Sequence, residues 1–132
     1  MSTRSKAKGT AAEREVVRYL QTWWPAAERR ALSGNKDKGD VAGLPGVVVE
    51  VKAAQTQLLA AWKRETETER INAAAESCVL VVKRPYKPVA EWDAYMPVTQ
   101  TCLVGQGALK EGNEWVRMDL ALAVGLLREI GH

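Results

Sequence analysis

A run of valines that carries two charged residues, Val47-Val-Val-Glu-Val-Lys52, most restricts what this 132-residue chain can fold into. Successive β-branched residues favour a strand, and a strand sends alternate side chains to opposite faces. Glu50 and Lys52 therefore share one face of the predicted strand, while Val49 and Val51 share the other. A lone Glu-x-Lys is also compatible with an exposed surface ion pair. The residues that precede the strand help to decide between a surface pair and an active site.

The segment Asp40-Val-Ala42 is predicted to form a second short strand, joined to the first by Gly43-Leu-Pro-Gly46. This connection folds the two strands about a point near position 45, which places Asp40 opposite position 49 or 50, beside Glu50. Two neighbouring carboxylates repel each other unless a cation lies between them. Mg²⁺ prefers one or two carboxylates together with water and phosphate oxygens, so we expect a divalent metal site where these acids meet Lys52.

The first helix is predicted to run from Thr10, which can cap it, to about Trp24, where Pro25 stops it. At 100° per residue its apolar side chains form one stripe. Glu13 lies near the centre of that stripe, where an unpaired carboxylate is costly to bury, whereas Glu15 lies on the far side. Glu13 therefore needs a cation, which is either a metal or a basic side chain. The stripe contains Ala12, Val16, Val17, Leu20, Trp23 and Trp24.

The residue inventory excludes several other kinds of active site. His132 is the only histidine, so a His-centred nuclease, a Ser-His-Asp hydrolase and a His-ligated zinc site each lack their central residue. No glycine-rich phosphate-binding motif follows a strand, and two cysteines are too few for a metal knuckle or a disulfide framework. An active site in this chain must therefore consist of carboxylates and lysine, and we expect no small-molecule cofactor.

The net charge of +3 is unevenly distributed. Residues 1–39 hold nine basic and four acidic residues, whereas residues 40–132 are slightly acidic. Clustered Lys and Arg gain affinity for a polyanion by releasing counterions from its phosphates, although such a run is also typical of an ordinary solvated surface. No apolar run is long enough to cross a bilayer, and residues 1–8 lack the apolar part of a secretory signal. We expect a cytoplasmic protein that binds no membrane.

The region after the valine strand predicts a second helix and a buried strand. Gln55 to Ala75 is rich in Ala, Leu, Glu and Arg and is expected to be helical, with residues 63–70 as a charged, exposed face that could border DNA. Cys78 to Lys83 is an apolar, β-branched run and is expected to be a strand beside the hairpin. Cys78 is predicted to be a reduced core residue.

The last third of the chain contains shorter elements. Strands are expected at Tyr95–Val98, around Leu103 and at Trp115–Met118, followed by a helix that Asp119 caps and that ends at Gly131. The order αβββαβ followed by mixed elements predicts a single α/β domain with a mixed central sheet flanked by helices. Its core is expected at about 8–98, with an extension at about 99–132.

Three of these motifs, in this order and spacing, resemble a known family. Lys8-Gly-Thr-Ala-Ala-Glu-Arg-Glu15 on a helix, then Gly39-Asp40, then Glu50-Val-Lys52 are similar to the PD-(D/E)XK nuclease superfamily. The greatest likeness is to the Holliday junction resolvases of archaea and to similar phage-encoded resolvases. The resemblance covers about residues 6–84, and the αβββαβ core of that restriction-endonuclease-like fold matches the predicted order of elements.

The resemblance implies roles for individual residues. Glu13, Asp40 and Glu50 would bind Mg²⁺, for which Mn²⁺ can substitute, and Lys52 would orient or help deprotonate the attacking water and stabilise charge on the phosphate. Asp37 is an alternative metal ligand to Asp40. We favour Asp40 because Asp40 enters the strand. The further implied residues are the Val51 carbonyl as a metal ligand, Gln55 as a polar active-site residue, and Lys8, Arg14, Arg29, Arg30, Ser33, Lys36 and Lys38 as DNA contacts.

The implied function is hydrolysis of DNA phosphodiesters at branched junctions by metal-activated water, which leaves 5′-phosphate ends. A four-way junction is nearly two-fold symmetric and needs paired cuts, so a homodimer is expected. A restriction-like or flap nuclease of the same fold, acting on duplex or branched DNA, is one alternative. A non-catalytic DNA-binding recombination module that retains the fold is the other. A phage-encoded protein of this kind would act in the host cytoplasm.

Overall fold

The computed structural model describes residues 3–30, 38–101 and 114–132. Its first six elements occur in the order helix, three strands, helix, strand, which confirms the predicted αβββαβ order. Two further strands and a final helix follow, with 3-10 turns at Val89–Glu91 and Val98–Gln100. The elements are α1 (Thr3–Leu20), β1 (Glu28–Arg29), β2 (Val41–Ala42), β3 (Val47–Lys52), α2 (Leu59–Asn72), β4 (Ser77–Val82), β5 (Asp93–Pro97), β6 (Trp115–Asp119) and α3 (Leu120–Glu129).

The six strands form one mixed sheet in which they lie in chain order from β1 to β6. Strands β3 and β4 are parallel because α2 carries the chain back between them, and the other neighbouring pairs are antiparallel. Val41 pairs with Val49, so the β2–β3 hairpin turns about position 45 as its glycine-proline connection predicts. The Asp40 amide donates to the Val49 carbonyl at 2.9 Å, which continues the pairing and brings Asp40 beside Glu50.

The two faces of the sheet pack against different helices. Val47, Val49 and Val51 belong to the main core, which also contains the buried stripes of α1 and α3. On the other face, Trp62 of α2 packs against Leu80 of β4 and its neighbours. Because side chains alternate along β3, Glu50 and Lys52 lie on the face that α2 covers.

Helix α1 differs from the prediction at both ends. It begins at Thr3, so Thr10 lies inside the helix and does not cap it, because the residues before it are themselves compatible with a helix. It ends at Leu20, four residues before Trp24, because Pro25 has no amide to donate to the carbonyl of residue 21 and its ring would clash with that carbonyl in a continued helix. Trp24 is nevertheless buried, and its Nε1 donates to the carbonyl oxygen of His132 at 3.3 Å.

The boundaries of the other elements that the sequence located agree with the structure to within a few residues, whereas the strand β1 was not located from the sequence. Helix α2 is shorter at both ends than the predicted span of 55–75, while Cys78 is a buried free cysteine in β4, as predicted. Asp119 occupies the N-cap position of α3, but its side chain makes no capping hydrogen bond. The expected strand around Leu103 lies outside the described residues. None of the described helices combines the length and apolarity needed to cross a membrane.

Candidate metal centre

Within the described residues, four acidic side chains from four parts of the chain form a continuous row. Glu13 lies on α1, Asp40 immediately precedes β2, Glu50 lies on β3 and Glu69 lies on α2. Each carboxyl group lies close enough to the next to shift its pKa: Asp40 acts on Glu13, Glu50 on Asp40, and Glu69 on Glu50. The structure therefore joins the three acids that the sequence singled out, and we call the four residues the carboxyl row.

The backbone around Gly39 positions Asp40 in the row. Gly39 has a φ of +95°, and a Cβ atom there would lie only 2.9 Å from Cγ1 of Val48 and 3.1 Å from the carbonyl oxygen of Val49. Glycine thus allows the chain to pass directly over β3 before it enters β2. The Val51 amide then donates to Asp40 Oδ2 at 2.8 Å, which fixes the carboxylate beside β3. This contact involves the backbone amide of Val51. Metal binding by the Val51 carbonyl stays a prediction.

The row becomes more buried towards α2. The side chain of Glu13 is 19% exposed, whereas Glu50 is 3% and Glu69 is 1% exposed. Burial and the adjacent Glu50 raise the pKa of Asp40 to about 8, and burial together with Glu69 raises the pKa of Glu50 to about 9. The two carboxyl groups therefore hold protons near neutral pH unless a cation replaces those protons.

Arg29 of β1 provides a cation at the exposed end of the row. Its Nε and Nη2 donate to Glu13 Oε2 at 3.2 and 2.9 Å. Burial and Asp40 raise the pKa of Glu13, and Arg29 opposes them. Of the two partners that the sequence allowed for Glu13, the structure thus places a basic side chain there. Metal binding by Glu13 and DNA binding by Arg29 stay predictions.

Lys52 lies beside the row on the α2 face of the sheet. Its Nζ is 3.1 Å from Glu65 Oε1 and 6.0 Å from the centre of the Trp62 ring. Burial alone would lower the pKa of Lys52, but the carboxylates of Glu50, Glu65 and Asp40 outweigh burial and leave this pKa raised. Lys52 is therefore a cation at neutral pH, which suits it to stabilising negative charge rather than to accepting a proton.

Helix α2 contributes two acidic residues that the sequence analysis missed. Within the described part of the chain, one group of three acids, Glu50, Glu65 and Glu69, brings carboxylate oxygens within 4.8 Å of one another. The sequence prediction that residues 63–70 are an exposed face is wrong for Thr66 and Glu69, which are buried. Trp62, Thr66 and Glu69 are spaced by four and three residues, so the helical phase that singled out Glu13 could also have found Glu69.

The remaining predicted site residues lie at the surface or outside the described residues. Gln55 is exposed in the turn after β3, and no hydrogen bond in the described structure joins it to the row. Arg30 is exposed, and its backbone amide donates to the Asp40 carbonyl at 2.8 Å. Lys8, Arg14 and Lys38 are exposed, whereas Ser33, Lys36 and Asp37 lie outside the described residues.

The donor set fits a hard divalent cation such as Mg²⁺ or Mn²⁺. All of the clustered ligands are carboxylate oxygens, and those of Glu50, Glu65 and Glu69 lie close enough together to bind one ion. The buried carboxyl groups also gain a compensating charge when a cation displaces their protons. No family model, curated protein or solved structure matches this chain.

Proposed function

We propose that this protein is a metal-dependent endonuclease that hydrolyses DNA phosphodiesters. The observation that carries the proposal is the convergence of the half-buried Asp40 and the buried Glu50 with the Lys52 ammonium, at the end of β3. A buried acidic pair of this kind is costly to maintain unless a cation offsets its charge. A neighbouring ammonium suits a reaction in which negative charge develops on phosphate oxygens.

Glu50 would hold Mg²⁺ or Mn²⁺ together with Asp40 on one side and with Glu65 and Glu69 of α2 on the other, and Glu13 lies at the far end of the row. The chemistry that the bound ion supplies is Lewis-acid activation of the attacking water and of the phosphate. Lys52 contributes its charge to the phosphate oxygens in the transition state. Its raised pKa favours this role over deprotonation of the water.

Branched DNA is the substrate class that we propose, with two copies of the chain making the paired cuts. Support for a polyanion comes from the exposed basic residues near the Glu13 end of the row, among them Arg14 on α1 and Arg30 beside Asp40. Support for a branched substrate comes from the likeness of the three sequence motifs to junction resolvases. A restriction-like or flap nuclease would use the same residues on another DNA geometry.

The test is cleavage of a synthetic four-way junction beside linear duplex and flap substrates, with and without Mg²⁺. We expect Mg²⁺-dependent cuts that Glu50→Gln and Lys52→Ala each reduce by about 100-fold or more. Glu15→Gln is the matched control, because Glu15 is exposed on the same helix as Glu13. Wild-type rates in Glu50→Gln would show that the site assignment is wrong, and the preferred substrate would separate a resolvase from a flap nuclease.

A non-catalytic DNA-binding module is the second candidate, and one observation favours it. The raised pKa values of Asp40 and Glu50 keep these groups protonated near neutral pH, and Arg29 pairs with Glu13, so protons and an ion pair can balance the charge of the row without a metal. Titration calorimetry with Mg²⁺ and Mn²⁺ separates the two candidates. Binding that Glu50→Gln abolishes supports the nuclease, whereas no heat of binding from either ion supports the non-catalytic module.

A further inference from the structure

The turn Lys83-Arg-Pro-Tyr-Lys-Pro88 after β4 places a tyrosine where the backbone favours glycine. The Lys87 amide donates to the Arg84 carbonyl at 3.2 Å and closes a four-residue turn with Pro85 in its second position. Tyr86 occupies the third position with a φ of +67°. A proline followed by a positive φ is typical of a type II turn, whose third residue is usually Gly or Asn. Tyr86 is therefore strained, and strain of this kind often marks a functional residue.

The turn is anchored, while the tyrosine ring at its tip is fully exposed. Trp92, which is 1% exposed, donates from Nε1 to the Lys87 carbonyl at 3.0 Å, and Lys83 Nζ lies 5.5 Å from the centre of the same indole. Arg84 Nη1 donates to the Glu91 carbonyl at 3.4 Å. The relative exposure of Tyr86 is 104%. The fold thus holds the turn at both ends and presents an aromatic ring to solvent.

The turn begins beside the candidate metal centre. The Lys83 amide donates to the Lys52 carbonyl at 2.9 Å, where the parallel strands β3 and β4 end together. Tyr86 is three residues further along the chain, and therefore lies within about 11 Å of Lys83. The backbone of the turn thus follows the end of the sheet at which Lys52 lies.

The charge of the turn indicates the chemistry of its partner. Three of the six residues from Lys83 to Pro88 are basic and none is acidic. Lys and Arg bind phosphate, and an exposed aromatic ring stacks on a nucleobase with little regard to sequence. Bases inside a continuous duplex already stack on each other, so an unpaired base or a base at a branch point is the available surface.

We propose that this turn contacts DNA, with the Tyr86 ring stacked on an unpaired or branch-point base and with Arg84 and Lys87 on the flanking phosphates. The inference rests on the proposed nuclease function, which it deepens by naming the feature of the substrate that is recognised. Stacking of the Tyr86 ring would make the protein bind branched DNA more tightly than continuous duplex. This preference would not depend on the carboxyl row.

The experiment measures binding by fluorescence anisotropy in EDTA, so that cleavage does not interfere. The probes are a four-way junction, a single strand and a linear duplex, and 2-aminopurine at the branch point reports base stacking. We expect Tyr86→Ala to weaken binding of the junction and the single strand by about tenfold, with a much smaller effect on the duplex. Tyr86→Phe should bind as the wild type does, because it keeps the ring.

Two further sets of variants separate recognition from folding. Tyr86→Gly removes the ring but relieves the strain at φ +67°, so its melting temperature should not fall while its junction affinity falls as in Tyr86→Ala. Arg84→Gln and Lys87→Gln should weaken binding to all three DNAs and each lower the salt dependence by about one unit of slope. Arg128→Gln, an exposed change on α3, is the charge control.

The proposal is overturned if Tyr86→Ala and Tyr86→Gly leave all three affinities within about twofold of the wild type. It is also overturned if they instead separate a dimer, which would make the turn an interface between copies. Cleavage with Mg²⁺ is scored separately. Ring-independent binding with intact cleavage refutes only this inference, while ring-dependent binding with no cleavage refutes only the nuclease.

Discussion

Arg29 of β1 donates two hydrogen bonds to Glu13 of α1, at 3.2 and 2.9 Å, and so competes for a carboxylate of the proposed metal site. We expect Arg29→Ala to tighten Mg²⁺ binding by roughly tenfold, because it removes a nearby positive charge. The ion pair is partly exposed, so its loss should cost less than about 1 kcal/mol of unfolding free energy. Titration calorimetry checks this, with Arg18→Ala on α1 as control. An unchanged Mg²⁺ affinity would mean that Glu13 is not a ligand.

The protonation of Asp40 and Glu50 predicts how metal-free stability depends on pH. Both folded pKa values are raised, to about 8 and about 9, so the folded state binds more protons than the unfolded state. The stability contributed by these protons is present below about pH 4 and is lost as the pH rises to about 9. In chemical denaturation, Glu50→Gln should therefore gain stability relative to the wild type as the pH rises from 5 to about 9. A constant difference between the two proteins would contradict the raised pKa of Glu50.

Adding Mg²⁺ should reverse that loss of stability. Deprotonated carboxylates bind the ion, so the rise in melting temperature on adding Mg²⁺ should grow with pH over the same range. Asp40→Asn should remove most of the effect, whereas Glu15→Gln should keep it. Thermal melts with Mg²⁺ or EDTA at several pH values measure it, and a Mg²⁺ effect that is the same at each pH would count against displacement of protons.

Gly39→Ala tests how tightly the backbone must approach β3. The new Cβ would lie 2.9 Å from Val48 Cγ1 at a φ of +95°, so we expect a loss of about 1–3 kcal/mol of unfolding free energy and weaker Mg²⁺ binding. Gly125→Ala is the matched control. A Cβ at Gly125 meets nothing within 4 Å and lies inside α3, so this change should stabilise by about 0.5–1 kcal/mol. Equal effects of the two substitutions would show that the close approach is unimportant.

Lys52→Ala should separate catalysis from binding. The ammonium lies beside the row and 3.1 Å from Glu65, so its loss should lower kcat by about 100-fold while DNA affinity changes little. Lys63→Ala on α2 is the control, since Lys63 Nζ lies over the Tyr95 ring at 5.2 Å and not at the row. Single-turnover cleavage combined with anisotropy measures both quantities. A loss confined to DNA affinity would make Lys52 a binding residue only.

The parts of the site that local geometry determines could be predicted from the sequence. The placement of Asp40 beside Glu50 follows from a short connection and strand alternation, and both act over about ten residues. The Arg29–Glu13 pair and the burial of Glu69 depend instead on how α1, β1 and α2 pack on the sheet. Residues 63–70 look like a solvated helix face by composition, and only the position of Trp62 shows that Glu69 faces inward. Most of the order of elements was predictable because it needs only hydrophobic periodicity and turn residues, but β1 consists of two exposed charged residues, Glu28 and Arg29, and neither signal locates it.

The carboxyl row takes its members from residues 13, 40, 50 and 69, and so from four segments that only the folded sheet brings together. A fragment that lacked α1 or α2 would lose an end of the row. An ion bound along it would join the first helix to the second through the strands between them. Ion binding and completion of the tertiary structure would then be thermodynamically coupled. A partly folded chain would not bind the ion and would therefore not cleave DNA.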